Sequence, residues 1–172
     1  MKKIFLVLLL LFGSLFATTE KKVPTVVPIP WIKENLSNPN LVIVDLRKKE
    51  DYDKGHITGA VNMPGLDSLF EKDTWMIPKL DFLKELFSNA GINQDSLVVA
   101  YDNGDFFWAA RLYWILEVFG HENVGLSKYA YGKYMQDNLP ITTETSKPVR
   151  KEFIPRVDNN QIETKLSTLM AI

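Results

Sequence analysis

The chain contains no cysteine. That absence excludes disulfide cross-links, thiolate metal sites, and any reaction that needs a thiol nucleophile, including cysteine-dependent phosphate hydrolysis. Histidine is almost as scarce: His56 and His121 stand alone and far apart, too few for a zinc site. No excess of positive charge is present either. Lysine and arginine total 20 against 21 aspartates and glutamates, a net charge of −1, so there is no electrostatic footprint for nucleic acid. Low-complexity stretches are lacking, and an aromatic content of 12% argues for a packed core over disorder.

A long membrane-spanning run is also missing. The apolar segment Ile4 to Phe16 falls short of the roughly 18 residues a spanning helix requires. With Lys2 and Lys3 before it and small residues around Ala17, residues 1–17 read as a secretory signal peptide, and a retained anchor is the weaker reading. The expected location is periplasmic or secreted. Cleavage after Ala17 would leave 18 basic against 21 acidic residues, a net of −3, and no cysteine follows to accept a lipid. Residues 18–30 carry three prolines among valines and suit an extended lead-in.

What the sequence does have is organised around residues 97–120, LVVAYDNGDFFWAARLYWILEVFG. A short apolar run ends in the polar turn Asp102-Asn103-Gly104-Asp105, and a long apolar segment then runs to Gly120. The pattern predicts a buried strand, a tight loop, and a buried helix capped by glycine. A loop feeding a helix N-terminus presents unpaired N–H groups beside the positive end of a dipole, so any site is expected there.

The remainder alternates in the same way. A short helix is expected over 31–36, a strand over 41–44, a turn or short helix over 48–54, and an irregular excursion over 65–78. A helix is expected over 79–90, with Leu80, Leu83, Leu86 and Phe87 as its core face. A strand over 123–126 and a helix over 128–138 complete the pattern, and Pro140 ends the compact part. Alternation of this kind predicts an α/β domain with a mostly parallel central sheet flanked by helices on both faces. Ligands in such sheets sit at the carboxyl ends of strands, where Asp45 and Asp102 both fall. His56 reads as a hydrogen-bonded structural histidine, not a ligand or base. Near the end, IETKLS (162–167) echoes IKENLS (32–37) after a proline-containing lead-in. If that echo is a repeat, a second copy of the domain begins near Lys151.

The segment 39–64, with Asp45, Arg47, Gly55, His56, Ile57, Gly59, Ala60, Asn62 and Pro64, resembles the first signature of the rhodanese family of sulfurtransferases. The segment 98–124 resembles that family's strand, active-site loop and helix. In the family a cysteine follows the strand's tyrosine, and its thiolate carries a sulfane sulfur as a persulfide cradled by loop amides. Here that position is Asp102. Together with Ala109-Ala110-Arg111 and Gly120 to Val124, this resembles the non-catalytic N-terminal half of tandem thiosulfate or 3-mercaptopyruvate sulfurtransferases. The resemblance implies a rhodanese-like domain over 31–147 lacking the catalytic cysteine, followed by a linker and the start of a truncated second repeat over 148–172. It implies no cofactor and no metal, and a cysteine-bearing second domain as partner, in cis if the reading frame continues. Asp45, Arg47, His56, Asn62 and Arg111 are assigned structural roles. One departure is Ser127-Lys128-Tyr129, where the family usually has Asp-Gly-Gly; bulkier residues there bear on the local turn and on docking of the other half.

Three functional readings follow. The first is the inactive half of a two-domain sulfurtransferase. The second is a stand-alone periplasmic module that binds a small anion or a protein through the degenerate loop Asp102, Asn103, Gly104, Asp105, Phe106 and Phe107. The third, a cation site on Asp102, Asn103 and Asp105, lacks the ligand spacing of a calcium loop. Asp102 cannot carry sulfur, and its expected role is to cap backbone N–H groups. Arg111, in an otherwise apolar helix, is expected to pair with Asp45, Asp102 or Asp105.

Overall fold

In the computed structural model, residues 23–157 are described. The signal segment 1–17, residues 18–22 of the lead-in, and the IETKLS echo lie outside the described residues. The chain begins with a short strand β1 (Val26–Val27) and helix α1 (Ile29–Asn35). This helix starts two residues earlier than the sequence suggests, because Pro30 falls in its first turn, where a missing N–H costs nothing. Next come β2 (Leu41–Asp45), α2 (Lys49–Lys54), and two short strands, β3 (His56–Ile57) and β4 (Val61–Asn62). The excursion over 65–78 is irregular except for one turn of helix, α3 (Gly65–Ser68). Helix α4 (Leu80–Asn89), strand β5 (Leu97–Tyr101) and helix α5 (Phe107–Val118) follow, then β6 (Val124–Ser127), α6 (Tyr131–Gln136) and β7 (Ile141–Thr142).

Five strands form one sheet in the order β1-β6-β5-β2-β4, and every pairing in it is parallel. Strands β3 and β7 make a separate antiparallel pair. The continuous apolar runs at 41–44 and 97–101 occupy the middle of the sheet, where both faces are covered. Alternation along them divides the core in two. Val42, Val44, Val98 and Ala100 meet Leu83 and Phe87 of α4 and Leu112, Ile115 and Leu116 of α5. Ile43, Val99 and Tyr101 point the other way, toward Trp31 and Ile32 of α1 and Tyr134 of α6. Helices therefore cover both faces. Leu80 is the exception to the apolar stripe read from α4, since it is exposed.

Beyond β7 the chain returns as an extended strap across α4 and α5. Lys151 N–H donates to the Ser88 carbonyl (3.0 Å), Phe153 N–H to Ser88 Oγ (3.1 Å), and Arg156 N–H to the Phe119 carbonyl (2.8 Å). Gly120 makes room for it: at φ 76°, a Cβ there would stand 2.6 Å from the Arg156 carbonyl oxygen. Phe153 is fully buried, edge-on to Phe87 and beside the His121 ring.

His121 is itself buried, and no hydrogen bond of normal geometry closes on either ring nitrogen. Burial lowers its pKa, against a smaller opposing effect of nearby backbone at Asn123 and Ser96. The unfolded chain takes up a proton near pH 6.5 while the folded chain resists it. Stability is thus full above pH 6.5 and declines as pH falls toward the lowered folded-state value, by at most about 1.4 kcal/mol per pH unit from this group. Denaturant unfolding between pH 7.5 and pH 5 should show this decline, and His121→Phe should flatten it.

Candidate functional site

The carboxyl edge of the sheet carries two buried carboxylates on neighbouring strands. Asp45 closes β2, and Asp102 is the first residue past β5.

Asp45 is enclosed in a network. Its Oδ2 accepts from Arg47 Nη2 (2.6 Å) and from the Tyr101 hydroxyl (2.5 Å), while Oδ1 accepts from Arg47 Nε (3.0 Å) and the Arg47 N–H (2.9 Å). Arg47 Nη2 also donates to the Gly55 carbonyl (2.7 Å), and its guanidinium lies 3.7 Å from the centre of the Tyr131 ring. Asn62 Nδ2 ties the strand ends together by donating to the carbonyls of Asp45 (3.1 Å) and Arg47 (3.0 Å). Burial opposes the Arg47 charge, but Asp45 more than restores it, and the net pKa lies above the ordinary value. Burial first, then the Asp45 charge, pushes the Tyr101 phenol far up, which keeps it a donor. His56 lies flat on Tyr52, with Nδ1 2.8 Å from the Tyr52 carbonyl and Nε2 3.1 Å from the Glu144 carbonyl.

Asp102 faces the loop. Its Oδ1 accepts from the N–H groups of Gly104 (2.7 Å) and Phe106 (3.3 Å), and its Oδ2 from that of Ala109 (3.2 Å) in the first turn of α5. Asp105 Oδ1 accepts from the Phe107 N–H (3.2 Å). The donors converging at this helix mouth are thus already satisfied by the chain's own carboxylates. Gly104, at φ 102°, lets the loop lean on α6, since a Cβ there would meet the Ala130 Cβ at 2.6 Å. Phe106 adopts a left-handed conformation (φ 62°) that turns the chain into α5 and leaves both Phe106 and Phe107 exposed.

Arg111 is not paired as the sequence suggests. Among the described residues it makes no ion pair; its guanidinium lies 4.4 Å from the Phe70 ring centre and 4.9 Å from that of Trp114, and Nε reaches the Leu69 carbonyl at 3.5 Å. Ring faces replace the expected carboxylate. The Ser127-Lys128-Tyr129 segment is held by Tyr134, whose hydroxyl donates to the Tyr129 carbonyl (2.7 Å) and shares a hydrogen bond with the Ser127 hydroxyl.

A cleft of about 470 Å³ opens beside the loop, between Arg47 to Glu50 on one side and Asn103 and Trp108 on another. Gly65 forms its floor by passing under the Trp108 ring, where a Cβ would clash at 2.4 Å. Tyr101, Tyr131 and Trp108 help build this region without having been singled out as site residues. Tyr101 lies 56 residues from its partner Asp45, and the parallel register of β2 with β5 brings the two together.

Residues 29–137 match the family model described as the rhodanese-like domain. The chain is 31% identical over 159 residues to a putative thiosulfate sulfurtransferase of Synechococcus elongatus, covering 86% of this chain and 49% of that protein. It is 30% identical over 139 residues to the sulfur carrier protein TtuD of Thermus thermophilus, covering 76% and 46%. Among solved structures it resembles SseA from Escherichia coli, described under the rhodanese fold of 3-mercaptopyruvate sulfotransferases. That match has a TM-score of 0.74 and 26% identity, over 86% of this chain and 61% of the other. The chain spans about half the length of the curated relatives it matches.

Removing one member of a buried pair strands the other's charge. Arg47→Met should therefore lower unfolding stability by about 3–5 kcal/mol in a denaturant titration. The double variant Asp45→Asn/Arg47→Met should lose less than the two single losses added together. Arg111→Met, which breaks the two ring contacts and the long hydrogen bond to the Leu69 carbonyl, should cost about 1 kcal/mol.

Proposed function

The chain belongs to the rhodanese-like domain family, and from that premise we propose that it is the cysteine-free, structural half of a sulfurtransferase of the thiosulfate or 3-mercaptopyruvate type. One observation carries the reading. At the end of the central strand, where sulfur transfer would need a thiolate, the Asp102 carboxylate takes the N–H groups of Gly104, Phe106 and Ala109 for itself. A carboxylate has no sulfur lone pair to attack a sulfane sulfur and forms no stable carrier with it. Its negative charge, with that of Asp105 three residues on, repels the anionic donor such a site would receive. The same two carboxylates count against the alternative of a stand-alone module holding a small anion in this loop. The chain's share of its relatives, about half, is consistent with a second, cysteine-bearing domain that performs the chemistry. The sequence layout of residues 1–17 supports export, so the working compartment under this reading is the periplasm or the exterior.

In this reading the domain kept its site scaffold and lost its reagent. The purified chain should form no thiocyanate from thiosulfate and cyanide, and clear turnover would refute the assignment. Asp102→Cys should place a thiol where loop and helix amides converge, and should depress its pKa below the ordinary value of about 8.5. Iodoacetamide alkylation followed against pH should show that midpoint. An ordinary or raised midpoint would mean that the amides no longer converge once the carboxylate is gone.

A further inference from the structure

The strap over residues 148–157 is a separable piece of this fold. It belongs to no helix and no strand, and its backbone is fastened through the N–H groups of Lys151, Phe153 and Arg156. Gln94 Nε2 adds a hydrogen bond to the Ile154 carbonyl. Its ion pairs, Arg150 with Glu85 (3.0 Å) and Glu152 with Lys84 (3.9 Å), lie in solvent and hold little. Two glycines shape its bed: Gly120 under Arg156, and Gly91, at φ 78°, where a Cβ would stand 3.1 Å from the Val149 carbonyl oxygen. Its one buried anchor is the Phe153 ring, which packs against both Phe87 and His121.

What the strap encloses is unsatisfied. Neither ring nitrogen of His121 has a hydrogen-bond partner of normal geometry, and the buried Oε1 of Gln94 has none either. Buried polar atoms left this way carry a cost that contact with water would return. The other walls around the ring are tied into the sheet and its helices. The His121 N–H donates to the Leu116 carbonyl of α5 (2.8 Å), and the Asn123 carbonyl accepts the Val98 N–H of β5 (2.8 Å). Only the strap can lift without breaking a helix or a strand, so it is the wall with the lowest opening cost. The charged groups on the surrounding elements are Glu117 on α5, Glu122 in the turn, Asp95 before β5, Lys84 and Glu85 on α4, and Arg150, Lys151, Glu152 and Arg156 on the strap. Glu117 is taken by the Tyr113 hydroxyl (2.5 Å), and Glu85 and Lys84 by the strap's surface pairs. Among the described residues none of these charges contributes to the His121 shift, which burial and the nearby backbone set.

We infer that the strap is a pH-sensitive latch: protonation of the His121 ring beneath Phe153 lifts residues 148–157 off α4 and α5, while the sheet and its helices stay folded. A proton on the enclosed ring adds a charge that its apolar surroundings do not solvate. Lifting the strap returns the ring to water, where it titrates near its ordinary value of 6.5. The closed state resists the proton and the open state accepts it, so opening becomes easier as pH falls below about 6.5. Above that pH the latch is fully shut. Opening gives the chain beyond residue 157 a further tether of up to about 35 Å, the extended length of the strap itself. The device is built from this domain's own packing and does not depend on the sulfurtransferase reading.

Amide hydrogen exchange of the 172-residue chain, corrected for the intrinsic rate at each pH, tests this. It compares the Lys151, Phe153 and Arg156 amides with those of Val99 and Ala100 in β5. The strap amides should exchange through openings that leave β5 protected. Their opening constant should stay level from about pH 8 to 6.5 and then rise by up to about tenfold per pH unit below it. His121→Phe should keep the strap shut and abolish the rise. Phe153→Ala, which removes the anchor and admits water to the ring, should raise strap opening at neutral pH and remove most of its dependence on pH. Strap amides as strongly protected as those of β5 would overturn the latch, because the strap would then open only with the whole fold. A wild-type opening constant indifferent to pH, or a rise that persists undiminished in either variant, would overturn His121 as its trigger.

Discussion

A buried carboxylate without a partner costs more than a domain of this size can spare, and the carboxyl edge of this sheet buries two. Asp45 is answered chiefly by charge: the Arg47 guanidinium pairs with it, and the Tyr101 hydroxyl and the Arg47 N–H complete its partners. Asp102 is answered by dipoles, the N–H groups of the loop and the start of α5. The two solutions meet through Tyr101, which donates to Asp45 while its backbone leads directly into Asp102. Most of what surrounds them follows from satisfying these groups. The Gly55 turn, the Asn62 bridge between strand ends and the close approach of α6 to the loop all keep water out of that edge or tie it down.

The layered α/β plan was legible because its signals are local. Runs such as 41–44 and 97–101 are apolar at every position, as only a strand covered on both sides can be, and the segments between them are long enough for helices. The rhodanese-like resemblance rested on residues whose reasons are now visible: Asp45 and Arg47 are spaced to pair, and Gly55 offers its carbonyl to the same guanidinium.

What was not legible depended on contacts across long separations. Arg111 was expected to find a carboxylate, and instead found the ring faces of Phe70 and Trp114, one of them 41 residues away. Nothing in the local sequence marks Phe106 or Trp75 for a left-handed backbone, since bulky residues rarely adopt it; the capping of the loop and the turn over 71–76 impose it. Leu80 looked like core by spacing and is exposed, because α4 packs through Leu83 and Phe87. In each case propensity gave way to tertiary structure.

The amide cradle around Asp102 has an evolutionary corollary. A residue that satisfies three backbone donors at once adds to the fold's stability, whereas a thiol in its place is a weaker acceptor. Any mutational step toward a sulfur nucleophile must first forfeit that stabilisation, before selection on activity can reward it. Under the reading proposed above, the carboxylate that leaves the site without a nucleophile therefore also anchors the loop, and drift alone does not readily replace it.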